Sequence, residues 1–377
     1  MLLVYLLVAA VVLLSFANGG NDVSKGIATL VGSGITSYRK AIIWGTVWTV
    51  AGGIIASIFA LELMRTFSAA GIVKSTADLT QSFPAAISLG AFGWVIFTAR
   101  TGLPVSTTHS IAGAICGTGI AAVGIEGITW LMLGKKIFLP LLFSPLIALG
   151  IAWLIAPLIK KLSSRLESYC VCLEVKNRVV IKPSLSRTGQ IAAMSQTASF
   201  PEAKLIAGEK EMCSETVEPG RRFEVLEILH WLSAGMASFA RGLNDAPKIA
   251  ALALGAGALG TGLPVPYAFL IVALAMGAGS IIAGFRVTQT LSEKVTPMTT
   301  QEGLSANLTT SVLVTIASRI GMPVSTTHVS SGAIIGIGIK HGAKTVKWKM
   351  VLEMIFGWII TLPVTAILGY IIFRILN

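Results

Sequence analysis

Several apolar stretches decide most of what this chain can become. Leu2–Ala17, Ala41–Leu61, Ile137–Ile159, Tyr267–Phe285 and Met350–Leu376 are nearly free of charge. A helix rises 1.5 Å per residue, so stretches of about 20 residues cross the roughly 30 Å of bilayer hydrocarbon. Backbone polar groups inside lipid must be satisfied internally, which leaves helices and closed barrels. The alternating apolar–polar pattern of a membrane barrel is absent. Only 12% of the 377 residues are charged, against about 25% in soluble domains. The 39 glycines suit close helix packing in lipid. The expectation is an all-α polytopic membrane protein.

Met1–Ala17 lacks the basic start and the small-residue cleavage site of a signal peptide, so it is read as a transmembrane helix. The formal net charge of +12 does not call for a nucleic-acid partner, because cations collect in cytoplasmic loops during membrane insertion. Of the four cysteines, Cys116 lies in an apolar segment, while Cys170, Cys172 and Cys213 lie in a polar one. Their spacing is a weak metal signal, and solvated thiols on a reduced cytoplasmic loop are expected.

That polar stretch, residues 160–222, holds 11 Lys/Arg and 7 Asp/Glu and reads as a cytoplasmic linker with some helix. On either side the chain repeats itself, giving a first transmembrane repeat at 1–159 and a second at 223–377. Nine of 19 positions match between Phe16–Gly34 and Phe239–Gly257. Gly102-Leu-Pro-Val-Ser-Thr-Thr-His109 and Gly321-Met-Pro-Val-Ser-Thr-Thr-His328 agree at seven of eight positions. From Asp22 to His109 is 87 residues, and from Asp245 to His328 is 83. Two rare motifs in one order at one spacing mark a duplication.

Each repeat is expected to hold a broken helix, a full helix, a re-entrant helical hairpin and a last full helix. Three crossings per repeat make the second inverted relative to the first. With both termini outside, the inner side collects Arg39, Lys40, the 11 linker cations, Arg286, Lys294, Lys340, Lys344, Lys347 and Lys349, which is 19. The outer side keeps six: Arg65, Lys74, Arg100, Lys135, Lys136 and Arg374. The outer loop Gly260–Pro266 carries no charge. This asymmetry supports the orientation, and inverted repeats mark secondary transporters with a site near the midplane.

Asn21-Asp22 and Asn244-Asp245 interrupt helices that should be apolar, with Gly19, Gly20 and Gly242 just before them. Glycine weakens a helix by about 1 kcal/mol, so a break is expected at each pair. An Asp at that depth costs about 2.5–3.5 kcal/mol, so it has a partner or a purpose. The plainer purpose is an ion pair with the Lys three residues on, Lys25 or Lys248. The other is cation binding: carboxylate, amide and carbonyl oxygens suit a hard ion such as Na⁺, and their duplication favours this reading. Pro104 and Pro323 precede Ser106, Thr107, Thr108 and Ser325, Thr326, Thr327. Such sequences open a fresh helix N-terminus at a hairpin tip, where N–H groups and hydroxyls receive an anion. Ordinary capping is the alternative, and two facing tips favour the anion. His109 and His328 are expected to satisfy neighbouring backbone groups. Arg241, which stands where the first half has Asn18, faces either the anion or the cytoplasmic vestibule. Glu62 and Arg65 form an outer-interface ion pair.

These motifs resemble the inorganic phosphate transporter (PiT) family of sodium–phosphate and proton–phosphate symporters. Its hallmark is similar to Gly-Ala-Asn-Asp-Val-Ala-Asn in both halves, a place taken here by Gly19-Gly20-Asn21-Asp22-Val23 and Gly242-Leu243-Asn244-Asp245-Ala246. The resemblance covers the chain apart from the linker. It implies phosphate between the two hairpin tips and a co-transported cation at each Asn-Asp pair. Some members carry an acidic residue where Asn307 stands, and some carry sulfate. No Gly-x-x-x-x-Gly-Lys-Ser/Thr loop is present, so neither an ATP-driven pump nor another enzyme is expected. The expectation is therefore a cell-membrane symporter of phosphate and Na⁺ with no cofactor, lipid around it, and homodimer assembly left open. Proton-coupled phosphate or sulfate symport, or a passive anion channel, is the alternative.

Overall fold

A computed structural model describes residues 1–68, 72–74, 79–185, 191–209, 222–255 and 261–377. Six of its helical segments are long and apolar enough to cross a membrane: Leu2–Gly32, Tyr38–Phe59, Ser82–Thr101, Trp130–Ser163, Val265–Ala283 and Trp348–Leu376. Their outer faces are apolar, as at Leu142, Leu146, Leu154, Ile355 and Ile359, whereas Asn21, Asp22, Lys25, Arg241, Asn244, Asp245 and Lys248 are buried. Polar groups inside and apolar ones outside are what a lipid solvent selects.

The two halves share one order of elements. In the first half, α1 (Leu2–Asp22) and α2 (Ser24–Gly32) precede α3 (Tyr38–Phe59) and the short α4 (Leu61–Phe67). A hairpin of α5 (Ser82–Thr101) and α6 (Thr107–Val123) follows, then α7 (Trp130–Leu133) and α8 (Leu139–Ser163). In the second half, α9 (Val225–Leu254) precedes α10 (Val265–Ala283) and the short α11 (Phe285–Glu293). Its hairpin is α12 (Thr300–Arg319) and α13 (Thr326–His341), and α14 (Trp348–Leu376) closes the chain.

The halves are interleaved, and their contacts come in matched pairs. A Cβ on Gly52 of α3 would lie 2.1 Å from the Phe239 carbonyl of α9, and one on Gly279 of α10 would lie 1.8 Å from the Phe16 carbonyl of α1. Likewise a Cβ on Gly113 of α6 would lie 2.4 Å from the Leu362 carbonyl of α14, and one on Gly332 of α13 would lie 2.3 Å from the Pro145 carbonyl of α8. Only a residue without a side chain permits such approaches, which replace hydrophobic drive with close packing in lipid. These contacts join corresponding elements of the two halves, α3 with α9 as α10 with α1, and α6 with α14 as α13 with α8.

Two expectations need correction. The break expected at Asn21-Asp22 is confined to Val23, which keeps helical angles (φ −55, ψ −33) and donates to the Gly19 carbonyl at 3.2 Å. At Asn244-Asp245 no unwinding occurs, and α9 runs through with Pro247 inside it. Proline has no N–H, so one helical bond is given up there without a break. The glycines serve contact instead: a Cβ on Gly19 would lie 2.0 Å from the Met276 carbonyl.

The second correction concerns the linker, which belongs to a separate compact unit, Lys160–Leu229. Among its described residues it forms an antiparallel sheet, β1 (Tyr169–Leu185), β2 (Ile191–Glu209) and β3 (Arg222–Glu224), in the order β2-β1-β3. Tyr169 pairs with Glu209 and Cys170 with Glu224. Some helix was expected there, but the β-branched run Val179-Val180-Ile181 favours strand. Cys170 and Cys172, two apart on one strand face, are buried with their sulfurs 3.7 Å apart, against the expected solvation. Cys213 lies outside the described residues.

Candidate functional site

The two Asn-Asp pairs and the two hairpin tips converge on one buried polar cluster. The tips form because Gly102 (φ +82) and Gly321 (φ +73) take the left-handed turn that ends α5 and α12, where a side chain would be strained. Pro104 and Pro323 then keep the chain extended until α6 and α13 begin. Ser106 caps α6 by accepting from the His109 N–H at 3.1 Å, and Ser325 caps α13 from the His328 N–H at 3.2 Å. The two serines therefore do the capping that was weighed against anion binding.

The threonines reach farther. Thr108 donates to the Val324 carbonyl at 3.4 Å, and Thr327 donates to the Val105 carbonyl at 2.8 Å, so each tip is bonded to the other. Thr107 donates to Asp22 Oδ2 at 3.0 Å. Thr326 is buried in the first turn of α13. The Asn side chains tie the tips to the long helices. Asn21 Nδ2 donates to the Val105 carbonyl at 2.7 Å, and Asn244 Nδ2 donates to the Val324 carbonyl at 3.2 Å.

Each carboxylate is held by several donors. Asp22 accepts from Asn18 at 2.7 Å and from Asn21 at 2.5 Å, and pairs with Lys25 at 2.9 Å. Asp245 accepts from Asn244 at 3.0 Å and Asn18 at 3.2 Å, with Lys248 at 3.4 Å and Arg241 Nε at 3.8 Å. The lysine pairs weighed against cation binding are therefore both present. Lys25 also donates to the Asn21 carbonyl at 2.5 Å. Lys248 leaves its own helix to meet the Thr108 hydroxyl at 2.7 Å and the Val324 carbonyl at 2.8 Å. Two carboxylates and three cations thus share one buried cluster, an excess of one positive charge suited to an anion.

Arg241 faces this cluster. Its guanidinium donates to Thr49 at 3.2 Å and to the backbone and side-chain oxygens of Asn18, both at 3.3 Å. Asn18 was not singled out as a ligand, yet it bonds both carboxylates. The usable signal was its alignment with Arg241, the one site position where the repeats differ in charge. His328 donates from Nδ1 to the Leu141 carbonyl at 3.1 Å, the backbone role expected of it, and stacks near His109 with ring centroids 4.6 Å apart. Both rings line a mainly apolar cavity of about 830 Å³ with Trp358. Asn307 donates to Ser233 at 3.4 Å. Glu62 and Arg65 pair at the surface as expected, at 2.5 Å.

Chemically, the cluster offers hydroxyls and cations to an anion and carboxylate, amide and carbonyl oxygens to a cation. The model of the phosphate transporter family matches residues 18–369. A probable low-affinity inorganic phosphate transporter of Bacillus subtilis is 28% identical, over 100% of this chain and 98% of its own length. A putative phosphate permease of Pyrococcus abyssi is 27% identical, over 96% of this chain and 95% of its own. A solved structure described as a sodium-dependent phosphate transporter superposes with a TM-score of 0.75 at 20% identity, covering 100% of this chain and 99% of that one. At that identity the likeness establishes a shared fold.

Proposed function

The chain belongs to the phosphate transporter family, and from that membership we propose that it imports inorganic phosphate by symport with a cation. Sodium is the cation of this reading. The observation that carries it is the reciprocal bonding of the two tips, Thr108 to Val324 and Thr327 to Val105, directly beside two buried carboxylates. Phosphate is received between the tips by the helix N-termini and by Thr107, Thr108, Thr326 and Thr327, with Ser106 and Ser325 holding the tips in shape. Helix N-termini meet phosphate with aligned N–H groups and a positive dipole end. Asn21, Asp22, Asn244 and Asp245 supply the cation's oxygens.

Alternating access follows from the two-fold pairing. If the repeats are inverted in the membrane, exchanging their conformations moves the opening from one side to the other. The tip-to-tip bonds must part for phosphate to enter. This reading places both termini outside and residues 160–222 in the cytoplasm, supported by the cation asymmetry of the loops.

The experiment is phosphate uptake into liposomes holding the full chain, with Na⁺ and pH gradients imposed separately and sulfate offered as competitor. Uptake driven by sodium at constant pH, and indifferent to sulfate, is expected. Uptake that follows the pH gradient alone would replace sodium by the proton. Flux that no gradient can drive uphill would make the protein a channel.

A further inference from the structure

Lys25 and Lys248 are buried in the cluster and, beyond their share of its positive charge, have no task in the transport scheme above. Lys25 Nζ lies 2.9 Å from Asp22 Oδ1 and 2.5 Å from the Asn21 carbonyl. Lys248 Nζ lies 2.7 Å from the Thr108 hydroxyl, 2.8 Å from the Val324 carbonyl and 3.4 Å from Asp245 Oδ1. Each ammonium therefore rests among carboxylate and carbonyl oxygens, with a hydroxyl added at Lys248. Those are the donors that a hard monovalent cation takes in a transporter core. Both ammoniums sit nearer a neutral oxygen than their carboxylate, Lys25 at 2.5 Å against 2.9 Å and Lys248 at 2.7 Å against 3.4 Å. An ammonium serving only to neutralise its aspartate would close on the carboxylate itself, and Lys248 stands farther from that position than Lys25.

We propose that Lys25 and Lys248 are tethered competitors for the two cation sites, so that the coupling cation binds only where an ammonium has swung off its carboxylate. The proposal rests on the cation-symport reading and adds what sets the cation's affinity. An ammonium and a sodium ion carry the same charge, and one oxygen cage does not hold both. A site filled by its own lysine nine-tenths of the time is competent for one-tenth, which weakens the apparent affinity about tenfold. The lysines thereby fix how much sodium the transporter requires, and they keep both carboxylates neutralised when sodium is absent.

The test uses full-length protein in liposomes, with phosphate uptake measured against sodium concentration at fixed pH, choline replacing sodium. Lys25→Asn and Lys248→Asn each withdraw the charge, shorten the side chain and leave room for an ion. Half-saturating sodium should fall about tenfold or more in each variant. An unchanged or raised value in both overturns the proposal. Lys248→Asn is the safer variant to fold, because Asp245 keeps Asn18 at 3.2 Å and Arg241 at 3.8 Å. Sodium protection of detergent-purified protein against thermal unfolding gives a second readout without transport, and its midpoint should shift in the same ratio. Equal sodium responses in all three proteins sink the competition alone. Phosphate uptake with no sodium response in any of them sinks the sodium reading and the competition together.

Discussion

The side-chain amide of Asn18, on α1, donates to the Asp245 carboxylate on α9 at 3.2 Å. The same nitrogen is 2.7 Å from Asp22, so one neutral side chain ties together carboxylates 223 positions apart in the chain. Arg241 completes the arrangement by donating to the Asn18 oxygen at 3.3 Å. Both polar atoms of the side chain are bonded to charged groups, and nothing apolar can replace it without stranding charge.

Asn18→Leu, which nearly keeps the volume, should therefore destabilise the protein. A hydrogen bond to a charged group is worth about 1.5–3 kcal/mol, and this change removes donors from two carboxylates and an acceptor from a guanidinium. A lowered midpoint of thermal unfolding in detergent, with phosphate uptake lost, is the expected result. Wild-type stability would show that water takes over all three bonds.

Asp22→Asn and Asp245→Asn should each abolish sodium-driven uptake, because each removes the charge that offsets a bound cation. The two should differ in stability. Asp22→Asn strands Lys25 alone, whereas Asp245→Asn strands both Lys248 and Arg241. Removing one partner of a buried pair costs about 3–5 kcal/mol, so Asp245→Asn should unfold at the lower temperature. Near-normal sodium-driven transport in either variant would make that carboxylate structural.

Cysteine reporters test the membrane orientation in a background with the native cysteines replaced. A reporter at Ser195, on β2, should react only from the cytoplasm, and one at Thr261, before α10, only from outside. Reaction of both from one side would refute inversion of the repeats.

Much of this architecture was legible because duplication doubled every signal. Two copies of Pro-Val-Ser-Thr-Thr-His located both hairpin tips, and the glycine-rich helices announced close packing. The misses have physical causes. Glycines beside Asn21-Asp22 look like helix breakers, but the partner backbone at Met276 that they accommodate is 257 residues from Gly19 and leaves no local mark. Pro247 gives up one helical bond, which a helix braced on both sides tolerates. In the linker, charge density hid the β-branched run of β1, since strand pairing with β2 is a non-local fact. The importance of Asn18 depended on three partners from other elements, which no window on the sequence contains.

The last prediction concerns the bonds between the tips. Thr108→Val and Thr327→Val each keep the shape of the side chain and delete one hydroxyl. In the closed site these hydroxyls are spent on the Val324 and Val105 carbonyls, at 3.4 and 2.8 Å. A neutral hydrogen bond is worth about 0.5–1.5 kcal/mol net and one to a charged group about 1.5–3 kcal/mol. Stability should therefore fall by the smaller amount for Thr327→Val and by more for Thr108→Val, whose hydroxyl also accepts from the Lys248 ammonium at 2.7 Å. On the proposed reading the tips part around phosphate, and the same hydroxyls would then meet a doubly charged oxyanion. A bond to a charged group is worth about 1.5–3 kcal/mol, which is roughly ten- to a hundredfold in affinity. Because Thr108 donates to Val324 and accepts from Lys248, its loss also loosens that ammonium. Phosphate affinity and thermal stability measured on the same purified variants separate the two roles. Affinity that drops well beyond stability places the hydroxyls on phosphate. Lower stability with affinity intact in both variants would leave them as fasteners between the hairpins and move the phosphate contacts to the helix N–H groups alone.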